Sequence, residues 1–289
     1  MSWFVTRTLG PGVHLVAEPF HVNSFVVEGN DARVHLDTGL GVANIREAGD
    51  RLSDRAPRVA NTHHHFDHVG GNALFDEVEI HELGADLIAE GVERATLDGY
   101  LGWARGMLEA WSTYRALDED FFALTDDVST LQPWPDGFDP DVWSIAPSKA
   151  TRTLVDGDVV DLGGRRLRVM HTPGHTTDSV CFLDEADGFL FAGDTVNSGP
   201  ILLTDPSADL EDFARSTRRL ADEVASSVRV VCMAHGARFS AEPGYLREVA
   251  EGAEAAVEGS VPFVLEENAY SGSARIARFE RFAIVMPPG

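Results

Sequence analysis

The run His63-His64-His65-Phe66-Asp67-His68, followed by Val69-Gly70-Gly71, places five residues able to bind a transition metal within six positions. Histidine offers a neutral imidazole nitrogen and aspartate a carboxylate oxygen, and both are ligands of zinc. The run follows Val59-Ala60, which reads as the end of a strand. On an extended backbone His63 and His65 face one side and His64 the other, while Asp67 and His68 follow as the chain turns. Two ligand sets then lie a few ångströms apart, as a two-metal site requires.

Four more such residues stand just beyond apolar, strand-like runs. Asp37 follows Val34-His35-Leu36, His175 follows Val169-Met170 through His171-Thr172-Pro173-Gly174, Asp194 follows Phe189-Leu190-Phe191-Ala192-Gly193, and His235 follows Val230-Val231-Cys232-Met233-Ala234. In α/β architectures the loops at the carboxyl ends of strands gather along one sheet edge, where active sites form. The pattern predicts strands at 13–17, 24–28, 33–36, 58–62 and 78–81, then at 165–171, 179–183, 188–192 and 229–234, with a closing strand at 277–285. Helices are expected at 42–52, where Ile45, Ala48 and Leu52 share a face, and at 243–257. Another begins after a cap at Ser207 or Asp209, where Leu210, Phe213, Thr217, Leu220 and Val224 recur at helical spacing. The strands fall into two similar halves.

Residues 92–150 interrupt the halves with a different composition, holding most of the large aromatics, from Tyr100, Trp103 and Trp111 to Trp134 and Trp143. Leu97, Leu101, Ala104, Leu108 and Trp111 predict an amphipathic helix, and Pro133-Trp134-Pro135-Asp136-Gly137 predicts a loop. These aromatics either pack the insert against the body or wall an apolar pocket above the metals, as a lid would.

In these motifs the chain resembles the metallo-β-lactamase fold superfamily: His63-x-His65-x-Asp67-His68, His175 in Thr-Pro-Gly-His-Thr, Asp194 in Gly-Asp-Thr, His235 in Ala-His-Gly, and Asp37 in Leu-Asp-Thr-Gly. The resemblance covers most of the chain outside the insert. It implies an α/β fold, a four-layer αββα sandwich of two pseudo-repeats in one domain over 1–289, with the metals at the sheet edge. It also implies that His63, His65 and His175 bind one metal, that Asp67, His68 and His235 bind a second, and that Asp194 bridges them. Two Zn²⁺ ions suit these ligands, though ligand type alone also accepts Fe or Mn. Asp37 is expected to orient a ligand histidine. His64 points away, His14, His35 and His81 are structural, and His171 steadies the loop presenting His175. His21, Trp103, Trp111 and Asn197 are the expected substrate-pocket residues.

Composition narrows the partners. With 289 residues, 44% hydrophobic and 24% charged, the chain has the make-up of a globular protein with a sizeable core. No run suits a signal peptide or a membrane span. Cys181 and Cys232 sit in apolar runs and read as buried thiols, which points to a reducing, cytoplasmic setting. The formal charge of −24, from 47 acidic against 23 basic residues, excludes a nucleic-acid binder built on basic patches. A small-molecule substrate is expected, with no nucleic acid or membrane as partner and with a homodimer left open.

Two metals sharing a hydroxide can activate it near neutral pH and polarise the oxygen of the bond it attacks. In that scheme Asp194 holds the pair and Asp67 orients the nucleophile, so these two are the catalytic carboxylates. An aspartate at 194 departs from the zinc β-lactamases that carry cysteine there. The ligand set resembles those of hydroxyacylglutathione hydrolases (glyoxalase II) and N-acyl-homoserine lactonases. The expected reaction is therefore hydrolysis of a carboxylic ester, lactone or thioester with an apolar portion. The alternatives are an oxidoreductase like the mononuclear iron persulfide dioxygenases, a small-molecule phosphodiesterase, and a non-catalytic binding protein. Metal analysis separates the first, and ester against phosphodiester substrates separate the second.

Overall fold

A computed structural model describes residues 2–122, 124–268 and 272–289. Its strands are β1 (Val5–Gly10), β2 (Val13–Glu18), β3 (Val22–Glu28), β4 (Ala32–Leu36), β5 (Ala56–Ala60), β6 (Val78–His81), β7 (Arg152–Leu154), β8 (Val159–Asp161), β9 (Arg166–His171), β10 (Val180–Asp184), β11 (Phe189–Phe191), β12 (Gly199–Leu202), β13 (Val230–Cys232), β14 (Ser240–Ala241), β15 (Val264–Asn268), β16 (Gly272–Arg278) and β17 (Phe282–Met286). The α-helices are α1 (Ile45–Asp50), α2 (Phe66–Val69), α3 (Ala85–Glu90), α4 (Arg94–Leu117), α5 (Leu210–Glu223) and α6 (Gly244–Val257).

Strands β1 to β7 form one sheet in sequence order, and a second runs β14-β13-β11-β10-β9-β8. The side-chain alternation of a strand decides what each face meets. On β2, Val13, Leu15 and Ala17 enter the core between the sheets, while Val16 faces the helical side. On β10, Val180 and Phe182 enter that same core, while Cys181 and Leu183 face α5 and α6. Helix, sheet, sheet and helix therefore stack as four layers. A third sheet, β12-β17-β16-β15, was anticipated only by the closing strand expected at 277–285. Its Ile201, Phe282 and Ile284 close the α6 side of the core.

Several expected boundaries move for local reasons. The helix expected at 42–52 shortens to α1, because the Asn44 side chain accepts from Glu47 N and caps it there. Asp209, not Ser207, caps α5 by accepting from Asp212 N. The strand expected at 277–285 is two strands of a hairpin: the chain turns at Glu280-Arg281, and Phe279 N donates to Phe282 O at 2.9 Å. The strand expected at 58–62 ends at Ala60.

That last ending serves the site. Strands β4 and β5 are parallel with Leu36 paired to Ala60, so Asp37 emerges beside Asn61 and Thr62. Strands β11 and β13 are parallel with Phe191 paired to Cys232, so Gly193-Asp194 emerges beside Ala234-His235. Val180 N donates to Thr62 O at 2.8 Å, joining the two sheets at this edge. In the insert, Leu97 and Leu101 of α4 pack on the first sheet, and the Trp143 indole donates to Leu40 O. Phe121 and Phe122 lie exposed beyond α4 and do not pack on the body.

Candidate metal centre

Five imidazoles and two carboxylates converge at the shared sheet edge. His63 Nε2 lies 3.3 Å from His175 Nε2, which lies 3.0 Å from His65 Nδ1. Beside them, His68 Nε2 is 3.2 Å from His235 Nε2, and Asp67 Oδ2 is 3.4 Å from His235 Nε2. Asp194 stands between the two groups. Its Oδ1 is 3.2 Å from His235 Nε2 and 3.5 Å from His68 Nε2, while its Oδ2 is 3.4 Å from His175 Nε2. The seven residues that the resemblance proposes as ligands are thus brought together. His63 and His65 present their rings from the bend after β5 rather than from a strand, and Asp67 and His68 come from the single turn of α2.

Each imidazole has its other nitrogen engaged outside the cluster. His68 Nδ1 donates to Asp37 Oδ2 at 2.8 Å, His235 Nδ1 to His21 O at 2.7 Å, and His175 Nδ1 to Leu202 O at 2.5 Å. His65 Nε2 donates to Asp205 Oδ2 at 3.2 Å. Thr62 Oγ1 gives its proton to Asp37 Oδ2 at 2.8 Å, which leaves it to accept from His63 Nδ1 at 3.0 Å. This network assigns the tautomers: protons point outward and lone pairs point inward. Facing lone pairs about 3 Å apart repel unless a cation lies among them. Asp194 Oδ1 is buried and has no hydrogen-bond partner, as a carboxylate awaiting a cation would be. The donor set, imidazole and carboxylate with outer partners for every ring, fits a bound divalent metal.

Electrostatics agree. Burial, with the neighbouring rings of His68, His65 and His175, holds the His63 pKa well below its ordinary value, and burial lowers His175 to about 4. Both rings are neutral, as ligation requires. Burial would also lower His68, but Asp37, Asp194 and Asp67 prevail and raise it well above normal. Burial alone would raise Asp194, yet His235 and His68 pull it well below the usual carboxylate range. Positive charge is therefore favoured at the inner faces of these groups.

Asp37 sits under His68 and also accepts from Thr62 N at 2.7 Å, in a left-handed backbone conformation with φ 65°. His64 turns to Asp178, with Nδ1 2.8 Å from Oδ1. His171 Nε2 reaches Thr177 O at 2.8 Å, across the loop that carries His175. His21 lies one hydrogen bond behind His235. Its ring stacks on Trp134 at 5.0 Å, its Nδ1 is 2.6 Å from the Tyr100 hydroxyl, and its buried Nε2 has no partner. Burial lowers its pKa to about 3, so the ring is neutral. Trp103 stands edge-on to His21 at 6.5 Å, while Trp111 packs on Phe20 at 5.4 Å. Asn197 departs from its expected place on a pocket wall. It is 2% exposed, and its Oδ1 accepts from His235 N at 2.9 Å, so it holds the backbone of that histidine.

Sequence reasoning missed Asp205, Thr62 and Asp178, and took Tyr100 only as one of the insert aromatics. Asp205 lies 140 positions from His65, inside a turn where its Oδ1 accepts from Ser207 N and so looks like a helix-entry residue. Thr62 adjoins the ligand run, and adjacency was its only signal.

Residues 17–235 match the family model described as the metallo-beta-lactamase superfamily. The acyl-coenzyme A thioesterase MBLAC2 of Homo sapiens is 30% identical over 260 residues, 84% of each chain. Its counterpart in Gallus gallus is 31% identical over 260 residues, 85% of each. A hydroxyacylglutathione hydrolase of Maricaulis maris is 26% identical over 161 residues, 56% of this chain and 41% of that protein. A metallo-beta-lactamase from Pontibacter korlensis shares the fold with a TM-score of 0.59 at 17% identity, over 87% of this chain and 99% of that one. Candidate ligands from His63 to His235 all fall inside the matched span, on loops at the edge of a four-layer sandwich, and the chain belongs to the metallo-beta-lactamase superfamily.

Proposed function

We propose that this protein hydrolyses a thioester or ester of an apolar acyl group, using two zinc ions held by His63, His65 and His175 on one side, Asp67, His68 and His235 on the other, and Asp194 between them. Hydrolysis itself follows from the family and the thioesterase relatives; the bond class and the metal count go beyond them. The observation that carries the reading is the inward convergence of five lone pairs whose outward protons are all engaged. The relatives named as acyl-coenzyme A thioesterases support the thioester. A small molecule is the proposed partner, because a chain of net charge −24 repels polyanions.

Two divalent cations supply an activated water and a Lewis acid for the substrate carbonyl. The chain's residues do the rest. Asp194 offers one oxygen to each donor group and so sets their separation. Asp67, beside His235, accepts a hydrogen bond from the attacking water and aims it. Asp37 and Asp205 keep His68 and His65 in the tautomers that leave their inner nitrogens unprotonated. His21, neutral and unpartnered at Nε2, faces the substrate from behind His235, with Trp103 at its side.

The test combines elemental analysis with turnover. About two zinc per chain, thiol release from an acyl thioester, and loss of both on chelation are expected. Asp194→Ala should lower kcat/KM by roughly 10³-fold, because metal charge stabilisation contributes several kcal/mol. A chelated protein of full activity, or a single iron per chain, overturns the reading.

A further inference from the structure

A cavity of about 220 Å³ opens beside His65, between α2, α3, the start of α4 and the returning end of the insert. Phe66, Val69, Ile88, Val92 and Ile145 wall it, and His64 and His65 share its lining. Val69, Ile88 and Ile145 are buried. Glu93 is the one acidic side chain on the lining, and no lysine or arginine contributes. A whole drug-sized ligand fills roughly 300–1,000 Å³, so this slot takes a part of a substrate and not all of it.

We infer that the slot receives the acyl chain of the substrate and that Val92, Ile88 and Ile145 set the chain length accepted. This rests on the hydrolase reading above and names which side of the scissile bond lies where. A carbonyl held at the histidine cluster has two substituents. The slot disfavours an anionic or phosphorylated leaving group, having apolar walls, Glu93 at its rim and no lysine or arginine. It favours an unbranched hydrocarbon, which gains from every methylene removed from water.

The test is a chain-length series of p-nitrophenyl esters, acetate, butyrate, octanoate and dodecanoate, on the metal-loaded protein. kcat/KM should rise by up to about fourfold per methylene until the slot is full, then level or fall. Ala146→Trp plugs the slot from an exposed lining position. It should cut octanoate turnover at least about tenfold, the equivalent of two lost methylenes, and leave acetate within about twofold. Ile88→Ala should move the optimum to longer chains. Equal losses at all lengths in Ala146→Trp, or an unchanged profile, overturn the assignment. Calorimetric binding of octanamide separates this failure from that of the hydrolase reading. Binding that Ala146→Trp abolishes, in a protein that cleaves no ester or thioester, keeps the slot and removes the reaction. Turnover with neither octanamide binding nor a length effect keeps the reaction and removes the slot.

Discussion

Asp37 and Asp205 are the residues on which the ligand geometry turns, and neither is among the proposed metal ligands. Each accepts the outward proton of one histidine, Asp37 from His68 and Asp205 from His65. Outer partners of this kind typically contribute 10–100-fold in metal affinity. If the proposed pair of metals binds, Asp205→Ala should therefore weaken the one on the His63–His65–His175 side by about 10–100-fold and spare the other. Asp37→Ala should do the reverse and also loosen Thr62, since Asp37 accepts from both its backbone and its hydroxyl. Competition with a chromophoric chelator resolves the two affinities, and equal loss at both sites in either variant would refute the pairing. Legibility differed between these two residues. Asp37 could be found because it opens a loop directly after an apolar strand, the position where α/β proteins place functional groups. Asp205 could not, because nothing local distinguishes a carboxylate facing a histidine 140 positions away from one that starts a helix.

At the scale of elements, strand β4 carries a histidine with no chemical task. His35 is wholly buried, both its ring nitrogens lack partners, and its ring lies against Phe75 and beneath Gly49 of α1. Burial, reinforced by Arg33, lowers its pKa from 6.5 to about 3. The fold thus favours the neutral ring. That contribution is complete above pH 6.5 and is lost as the pH falls toward 3, because the unfolded chain takes up the proton first. In His35→Leu the loss disappears. Between about pH 6.5 and pH 4 the wild type should lose about 3 kcal/mol more stability than the variant. Thermal unfolding of the metal-stripped proteins across that range checks this, and parallel curves would rule it out. Elements were legible where periodicity was strong and a cap was local, as in α5 with Phe213, Thr217 and Leu220 below Asp209. They were not where a turn lacks glycine and proline. Glu280-Arg281 reads as the middle of a strand, and Arg281 is drawn into the turn by Glu242 and Glu248 from elsewhere in the chain.

Across the whole molecule, the four layers were readable from motif order, whereas the third sheet was not. Its strands pair β12 with β17, and no sequence pattern announces a partnership between segments some 80 positions apart. Charge acts at this scale too. A net −24 strains the compact state by self-repulsion, which salt screens once the Debye length falls to about 10 Å near 0.1 M. Raising NaCl from about 10 mM to about 500 mM should therefore raise Tm; a flat or falling Tm would show that the ion pairs, not the excess acid, dominate. No helix among the described residues is long and apolar enough to cross a membrane. The joining of distant segments also bears on biosynthesis. His235 Nδ1 reaches back 214 positions to the carbonyl of His21, and Asn23 N donates to Ala234 O. A ribosome that has released the first two hundred residues has delivered six of the seven proposed ligands, Asp194 among them. It has not delivered His235, whose ring adds a further tie between the halves through the carbonyl of His21. The last proposed ligand therefore joins the cluster only once the second half has met the first at His21 and Asn23.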